Sequence, residues 1–345
     1  MNFSVGYQYP DEGEESRFPE IVKDYRPLVD EVYFAAGNDP GARSPAALAS
    51  GLEEDEAEKI LLEDLLELKH SGVRLNLLLN ANCYGGSCIS VGLAKQVLER
   101  AAFFLERGLL DAVTTASFFI ADVLKRHFPD LPLRSSVNMK LGTLDALEYA
   151  GELFDSFCLQ RDLNYFPDQL QLLADRAAGN GKSVCLLANS GCLRNCAAQI
   201  FHDNLVAHMG EMDFKTCSRN ADPVFCRRFF RNRNRKLDYL AYSTLIRPED
   251  LVHYEKITSR IKLATRTHCN PRLVMEAYCS GHFRGNLFDL TEPGHGILFR
   301  GQVLDNTRIP AEYWTFRSAC SRDCRTCGYC RKVMEESLVS CEEIV

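Results

Sequence analysis

Ser183-Val-Cys-Leu-Leu-Ala-Asn-Ser-Gly-Cys192-Leu-Arg-Asn-Cys196 opens as an apolar run and breaks at Asn189, Ser190 and Gly191. It then presents two thiols, Cys192 and Cys196, with three residues between them. A short apolar run bounded by turn residues reads as a buried strand. Cys217 and Cys226 follow within one loop-sized interval. Thiols gathered after the end of a strand suit metal ligation better than packing, and thiolates suit an iron–sulfur centre or zinc. Cys83, Cys185 and Cys269 are rival fourth ligands.

Outward from this stretch the same grammar repeats. Apolar runs at Phe3–Tyr7, Val29–Ala35, Arg74–Asn80, Asp111–Ala116, Leu133–Asn138 and Asp155–Arg161 read as strands, with Ser183–Asn189 the seventh. Helical spacing fills the gaps at Glu53–His70, Leu93–Arg107, Val123–Phe128, Thr143–Ala150 and Phe166–Ala178. The acidic run Glu53 to Glu56 suits a solvated helix face at the positive end of its helix. Leu237–Tyr242 reads as an eighth strand and Ile261–Arg266 as strand-like, giving eight or nine. Strands alternating with helices argue for a parallel α/β sheet, and eight such units suit a TIM-type (β/α)8 barrel. A doubly wound open sheet is the alternative, although no G-x-G-x-x-G follows a strand. The reading divides the chain into a barrel over 1–290, with a cysteine-rich insertion over 190–236, and a C-terminal cysteine-rich tail over 291–345. The barrel strands end by about Arg266, so the core is not expected to need the tail.

The chemistry of such a barrel sits at the C-terminal ends of its strands. That rule selects Asn80 and Cys83, and as catalytic candidates Asn82, Asn138, Gln160, Arg161, Asn189 and Arg266. Together they predict a polar pocket.

The tail carries Cys320, Cys324, Cys327 and Cys330, four thiols within eleven residues. That spacing can wrap one compact iron–sulfur centre, and zinc is the alternative metal. Tyr313 and Trp314 would shield it or simply pack. Cys158 and Cys185 read as core residues, because a free thiol behaves as a small hydrophobe. Cys341 reads as incidental, and Cys88 and Cys279 carry no assignment.

The length of 345 residues allows one large barrel, and 46% hydrophobic with 25% charged residues is an ordinary globular balance. A net charge of -7 argues against adhesion to nucleic acid or membrane driven by overall charge. The run Arg227–Lys236 reads as a solvated loop, with contact to a phosphate backbone the alternative. No export signal opens the chain and no run of about 18 apolar residues occurs, so no membrane span is expected. Fifteen cysteines in such a chain suit reduced thiols in the cytoplasm, not a disulfide framework. His202 and His208, six apart, would face different sides of a helix and not share one ion. No Ser-His-Asp spacing or H-E-x-x-H is present.

The segment Cys185–Cys192 is similar to the cysteine, Ser-Gly, cysteine signature of the U-32 peptidase family, the so-called collagenase-like peptidases. Ile246–Val252, Lys262–Arg266 and Ala277-Tyr278 resemble that family's closing strands and following helix, so the resemblance covers roughly residues 3 to 290. Two departures stand out. Asn189 replaces the usual aromatic before Ser-Gly, and Cys192/Cys196 are spaced as in the partner subunit of the anaerobic ubiquinone-hydroxylation pair. The resemblance implies a TIM-type barrel, a 4Fe–4S cluster held by four cysteines and a cytoplasmic setting. It also implies oxygen-independent hydroxylation of RNA bases or small molecules, peptidase being the historical label. The set Cys192, Cys196, Cys217 and Cys226 would hold that cofactor, and Cys320, Cys324, Cys327 and Cys330 a second metal that passes electrons to it. A small-molecule or RNA substrate and a partner subunit of the same family are the expected partners. A zinc- or cluster-stabilised binding subunit without catalysis, and a peptidase, are the competing functions.

Overall fold

The structure is a computed structural model that describes residues 1–10, 16–36, 52–212 and 224–341. Cys217 lies outside the described residues. Eight strands, β1 (Asn2–Gly6), β2 (Val29–Phe34), β3 (Arg74–Leu79), β4 (Ala112–Thr115), β5 (Leu133–Ser135), β6 (Ser156–Cys158), β7 (Ser183–Leu187) and β8 (Arg260–Leu263), close into a parallel barrel in sequence order. Closure is made at β1, where Val5 lies opposite Val32 on one side and Leu263 on the other. The (β/α)8 expectation holds, and the open sheet does not.

The helices between strands form for local reasons. Glu54–His70 carries Glu54, Asp55 and Glu56 in its first turn and Lys69 and His70 in its last, which complements the helix dipole. Its buried stripe of Ala57, Leu61, Leu65 and Leu68 faces the barrel wall. Ser90, Ser117 and Thr143 cap the helices Val91–Glu106, Phe118–His127 and Leu144–Ala150 through their side-chain oxygens.

One predicted strand is corrected. Leu237–Tyr242 is not a strand; Tyr239–Tyr242 is a short helix, and the eighth strand is Arg260–Leu263. Tyr239 packs among Phe230, Phe288, Phe299 and His295. A short apolar run buried on every side carries no periodicity to separate helix from strand. Several other strands are shorter than read. β5 stops at Ser135 because Ser136 accepts from the Asn138 N–H at 3.3 Å and turns the chain.

The barrel lumen is not the usual stack of branched aliphatics. At its lower end Glu31 accepts Arg134 Nη1 at 2.5 Å and Nη2 at 2.9 Å, and the Ser4 hydroxyl at 2.6 Å. Asn76 and Thr114 extend this polar layer. Above it sit Cys158, Cys185, Leu187 and Ala264. The main apolar core lies between the barrel and its helices.

That core continues into the tail. β9 (Gln302–Leu304) pairs antiparallel with β10 (Leu338–Ser340). Phe299, Leu304, Tyr313, Val333 and Met334 are buried in the same cluster as the barrel residues. Arg317, only 1% exposed, donates to Tyr313 Oη at 3.0 Å and to the Ser243 carbonyl at 2.8 Å, and lies over the Tyr165 ring at 4.1 Å. Trp314 stacks on His253 at 3.8 Å and donates to Tyr254 Oη. Tyr313 and Trp314 are thus core residues that join tail to barrel. No helix among the described residues is long and apolar enough to cross a membrane.

Candidate functional site

The mouth of the barrel holds a cavity of about 320 Å³, lined by Asn80, Asn138, Arg161, Cys192 and Arg266 among others. Four residues chosen by the strand-end argument, together with the predicted ligand Cys192, therefore meet in one place. Each follows an apolar strand whose backbone ends at the rim, so its side chain turns inward over the lumen. Arg161 Nη1 donates to Ser190 Oγ at 3.3 Å and Nη2 to Asn138 Oδ1 at 3.4 Å. Asn138 Nδ2 and Asn80 Oδ1 are buried without a hydrogen-bond partner. Burial works against the Arg161 charge, and Cys192, Asp203 and Asp162 more than offset it.

Further groups complete the lining that the strand-end rule did not select. Lys262, Tyr33, His202, Asp203 and Glu292 all face this cavity. Lys262 alternates with Ala264 and Arg266, so period-2 spacing along β8 carried a signal for it. Its ammonium lies 3.9 Å from the Tyr33 ring centre, and burial pulls its pKa below the usual lysine range. Glu292 arrives from a segment that no strand precedes. Its backbone N–H donates to the Asn189 carbonyl at 3.0 Å, and its carbonyl accepts from Gly191 N–H at 3.0 Å. Burial pushes the Glu292 carboxyl above its usual range, against the pull of Thr267 and Arg266. A Cβ at Gly191 would run into the Pro293 carbonyl, so only glycine lets this segment close on β7.

Three candidates do other work. Asn189 is fully buried and serves the backbone. Its Nδ2 donates to the Ala264 and Leu290 carbonyls, both at 2.9 Å, and its Oδ1 accepts from Ala264 N–H at 2.6 Å. Asn189→Ala leaves these groups unpaired and is expected to cost about 2–3 kcal/mol, read from a urea unfolding midpoint. Gln160 folds over Gly142 and is not in the cavity lining. Asn82 has a buried Oδ1 without a partner but does not line the cavity.

Every cysteine among the described residues is a free thiol. Cys192 lines the cavity, and Cys196 and Cys226 are half-buried. Burial, then the nearby Cys192 and Cys196, push the Cys226 thiol up to about 11. In the tail, burial raises Cys330, Arg317 pulls it down, and Cys320, Cys324 and Cys327 raise it again. Cys226 is thus within electrostatic reach of Cys192 and Cys196, and Cys330 of the other three tail thiols; thiolates are soft donors of the kind that iron–sulfur clusters and zinc accept. Among the described residues, no three His, Cys, Asp or Glu side chains are drawn into a ligating arrangement. Of the rival ligands, Cys185 hydrogen-bonds Cys158 across β6 and β7, Cys269 is exposed, and Cys83 meets His208.

The basic run is partly structural. Arg235 lies over the Phe229 ring at 4.5 Å, and Lys236 donates to the Leu298 carbonyl.

No protein-family model matches the chain. An uncharacterized protease of Methanocaldococcus jannaschii is 24% identical over 280 residues, covering 78% of this chain and 79% of that protein. A U32 peptidase of known structure superposes with a TM-score of 0.53 at 12% identity, covering 77% of this chain and 92% of that one; it speaks to the fold alone. The chain is thus similar in sequence to a protein named as a protease and shares the barrel fold of a U32 peptidase, in keeping with the resemblance carried by Cys185–Cys192.

Proposed function

We propose that the chain is a cytoplasmic iron–sulfur enzyme of the oxygen-independent hydroxylase type, acting on a small anionic molecule at the barrel mouth. One observation carries this reading. Cys192 lines the cavity and also belongs to the thiol set with Cys196 and Cys226. A cluster held by Cys192, Cys196 and Cys226, with Cys217, would thus stand beside bound substrate. When bound, it supplies one-electron transfer. The tail thiols would hold the second centre.

The chain's own residues supply the rest. The cavity presents Arg161, Lys262 and Arg266 against the carboxylates of Asp203 and Glu292, an excess of positive charge that favours an anionic substrate. Asn138 Nδ2 and Asn80 Oδ1 offer one free donor and one free acceptor to orient it. Glu292, its carboxyl held above the usual range, can keep a proton and exchange it with substrate. A volume near 320 Å³ suits a small molecule. An RNA base presented to the same mouth is the second substrate class, with the exposed Arg228 and Arg231, close in sequence to Cys226, as its candidate backbone contacts.

The test is metal analysis of protein purified without oxygen. The expected result is a brown protein containing iron and sulfide. Cys192→Ser and Cys226→Ser should each lose one cluster's iron and keep the tail's, while Cys324→Ser does the reverse. A colourless protein containing zinc, or unchanged iron in all three variants, overturns the reading.

A further inference from the structure

The loop after β3 and the helix Gln199–Ala207 bring together three groups that the mouth cavity does not use. Cys83 follows β3 and is held at the rim because the next residue, Tyr84, anchors the loop by donating to the Leu79 carbonyl at 3.1 Å. Gly85 N–H donates to Cys83 Sγ at 3.4 Å. His208, at the C-terminal end of its helix, hydrogen-bonds the same thiol. Its Nδ1 is 2.9 Å from Glu211 Oε2, which leaves Nε2 for the sulfur. The ring crosses Gly85 closely; its Cε1 lies 3.6 Å from where a Cβ would stand. Gly86 borders open space, so a substrate can reach the thiol. None of the three residues lines the mouth cavity.

A thiol bonded to an imidazole, whose other nitrogen is held by a carboxylate, is the arrangement that activates a cysteine nucleophile. We propose that Cys83, His208 and Glu211 form a second reactive centre, in which Cys83 accepts an acyl group from an ester, thioester or peptide carbonyl. Cys83 is the catalytic nucleophile and His208 the acid–base. Glu211 is a positioning residue, its side chain 77% exposed and His208's 29%. In the first step the Cys83 proton passes to His208 Nε2 and sulfur bonds to the carbonyl carbon. The bond to the leaving group then breaks as His208 returns the proton to it. Water, deprotonated by His208, next attacks the thioester, which releases the carboxylic acid and restores the thiol. No electron is transferred and no co-reactant but water is required. The hydrogen bond from His208, then that from Gly85, pulls the Cys83 pKa down, while Cys83 and then Glu211 pull His208 up. The charged groups acting on the pair are therefore each other and Glu211.

The test uses the full chain purified without oxygen. Iodoacetamide labelling mapped by peptide mass should modify Cys83 several-fold faster near neutral pH than the exposed Cys88 and Cys341, as a lowered thiol pKa requires. His208→Gln should remove that advantage and move the pH midpoint of Cys83 labelling upward. p-Nitrophenyl acetate should give a burst of p-nitrophenol and an acetyl adduct on the Cys83 peptide, absent in Cys83→Ala. Cys83 that labels no faster than Cys88 and ignores His208→Gln overturns the proposal. A reactive Cys83 without an acetyl adduct also overturns it. Loss of iron in Cys83→Ala would make Cys83 a ligand and overturn it too, while leaving the iron–sulfur reading intact.

Discussion

A chain ended at Glu312 is expected to show no cooperative unfolding transition, followed by circular dichroism on heating. The truncation removes Tyr313, Trp314, Arg317, Val333 and Met334. Tyr313, Val333 and Met334 lie in the same apolar cluster as the barrel wall. Burying one such side chain stabilises by about 1.5–3 kcal/mol. Losing them together, with the surface they cover, is on the order of the whole 5–15 kcal/mol that holds a typical domain folded. It would also strip the Arg317 bond from the Ser243 carbonyl and the Trp314 bond from Tyr254 Oη. Cys341→Ser is the control. That thiol is exposed and holds no assigned role, and its loss should leave the transition where it was. A truncated chain that melts like the full one would show that the tail is an appendage after all.

Arg134→Ala is expected to cost about 3–5 kcal/mol, because it strands a buried carboxylate. Glu31 is 2% exposed and receives both Arg134 amino groups. Burial alone would raise its pKa, but Arg134, helped by Arg260 and Ser4, holds it at about 2. A folded pKa below the unfolded value means stability that is present above about pH 4.3 and lost as pH falls toward the folded pKa. The native protein should therefore weaken between roughly pH 4 and 2 as Glu31 takes up its proton. In Arg134→Ala, burial is opposed only by Arg260 and Ser4, and this acid loss should flatten. Chemical unfolding midpoints of both proteins across that pH range provide the check; parallel curves would show that Glu31 does not carry the acid response.

How much of this could be read from the sequence depends on whether the cause was local. Seven strands were legible because each is an apolar run closed by turn residues, and the (β/α)8 barrel followed from their alternation with helices. The eighth was read at Ile261–Arg266 as one of two candidates; the other, Leu237–Tyr242, misled because it is buried by tertiary neighbours instead of by a periodic pattern. Asn138, Arg161 and Arg266 could be found because barrel geometry turns strand ends toward the mouth. Asn189 satisfied the same rule, yet its amide is taken by backbone groups of two later segments, which no local pattern records. Glu292 reaches the site only because Gly191 admits its segment. The meeting of Cys83 with His208 depends on two loops distant in sequence. The two histidines six apart were read only as facing different sides of a helix, and the role of neither was visible. His202 faces the cavity and His208 the Cys83 thiol.

The pairing of β1 with β8 also constrains the order of events in the molecule's making. The Gly6 N–H bonds the Thr265 hydroxyl across 259 positions. Until the ribosome has released that later segment, β1 and β7 each keep an unpaired edge, and Glu31, Arg134 and the lumen thiols lie open to water. Closing so long a loop comes late and slowly. The nascent chain thus has no intermediate stopping point at which a half-barrel is sealed, and its open edges need shielding from other chains until synthesis is nearly complete.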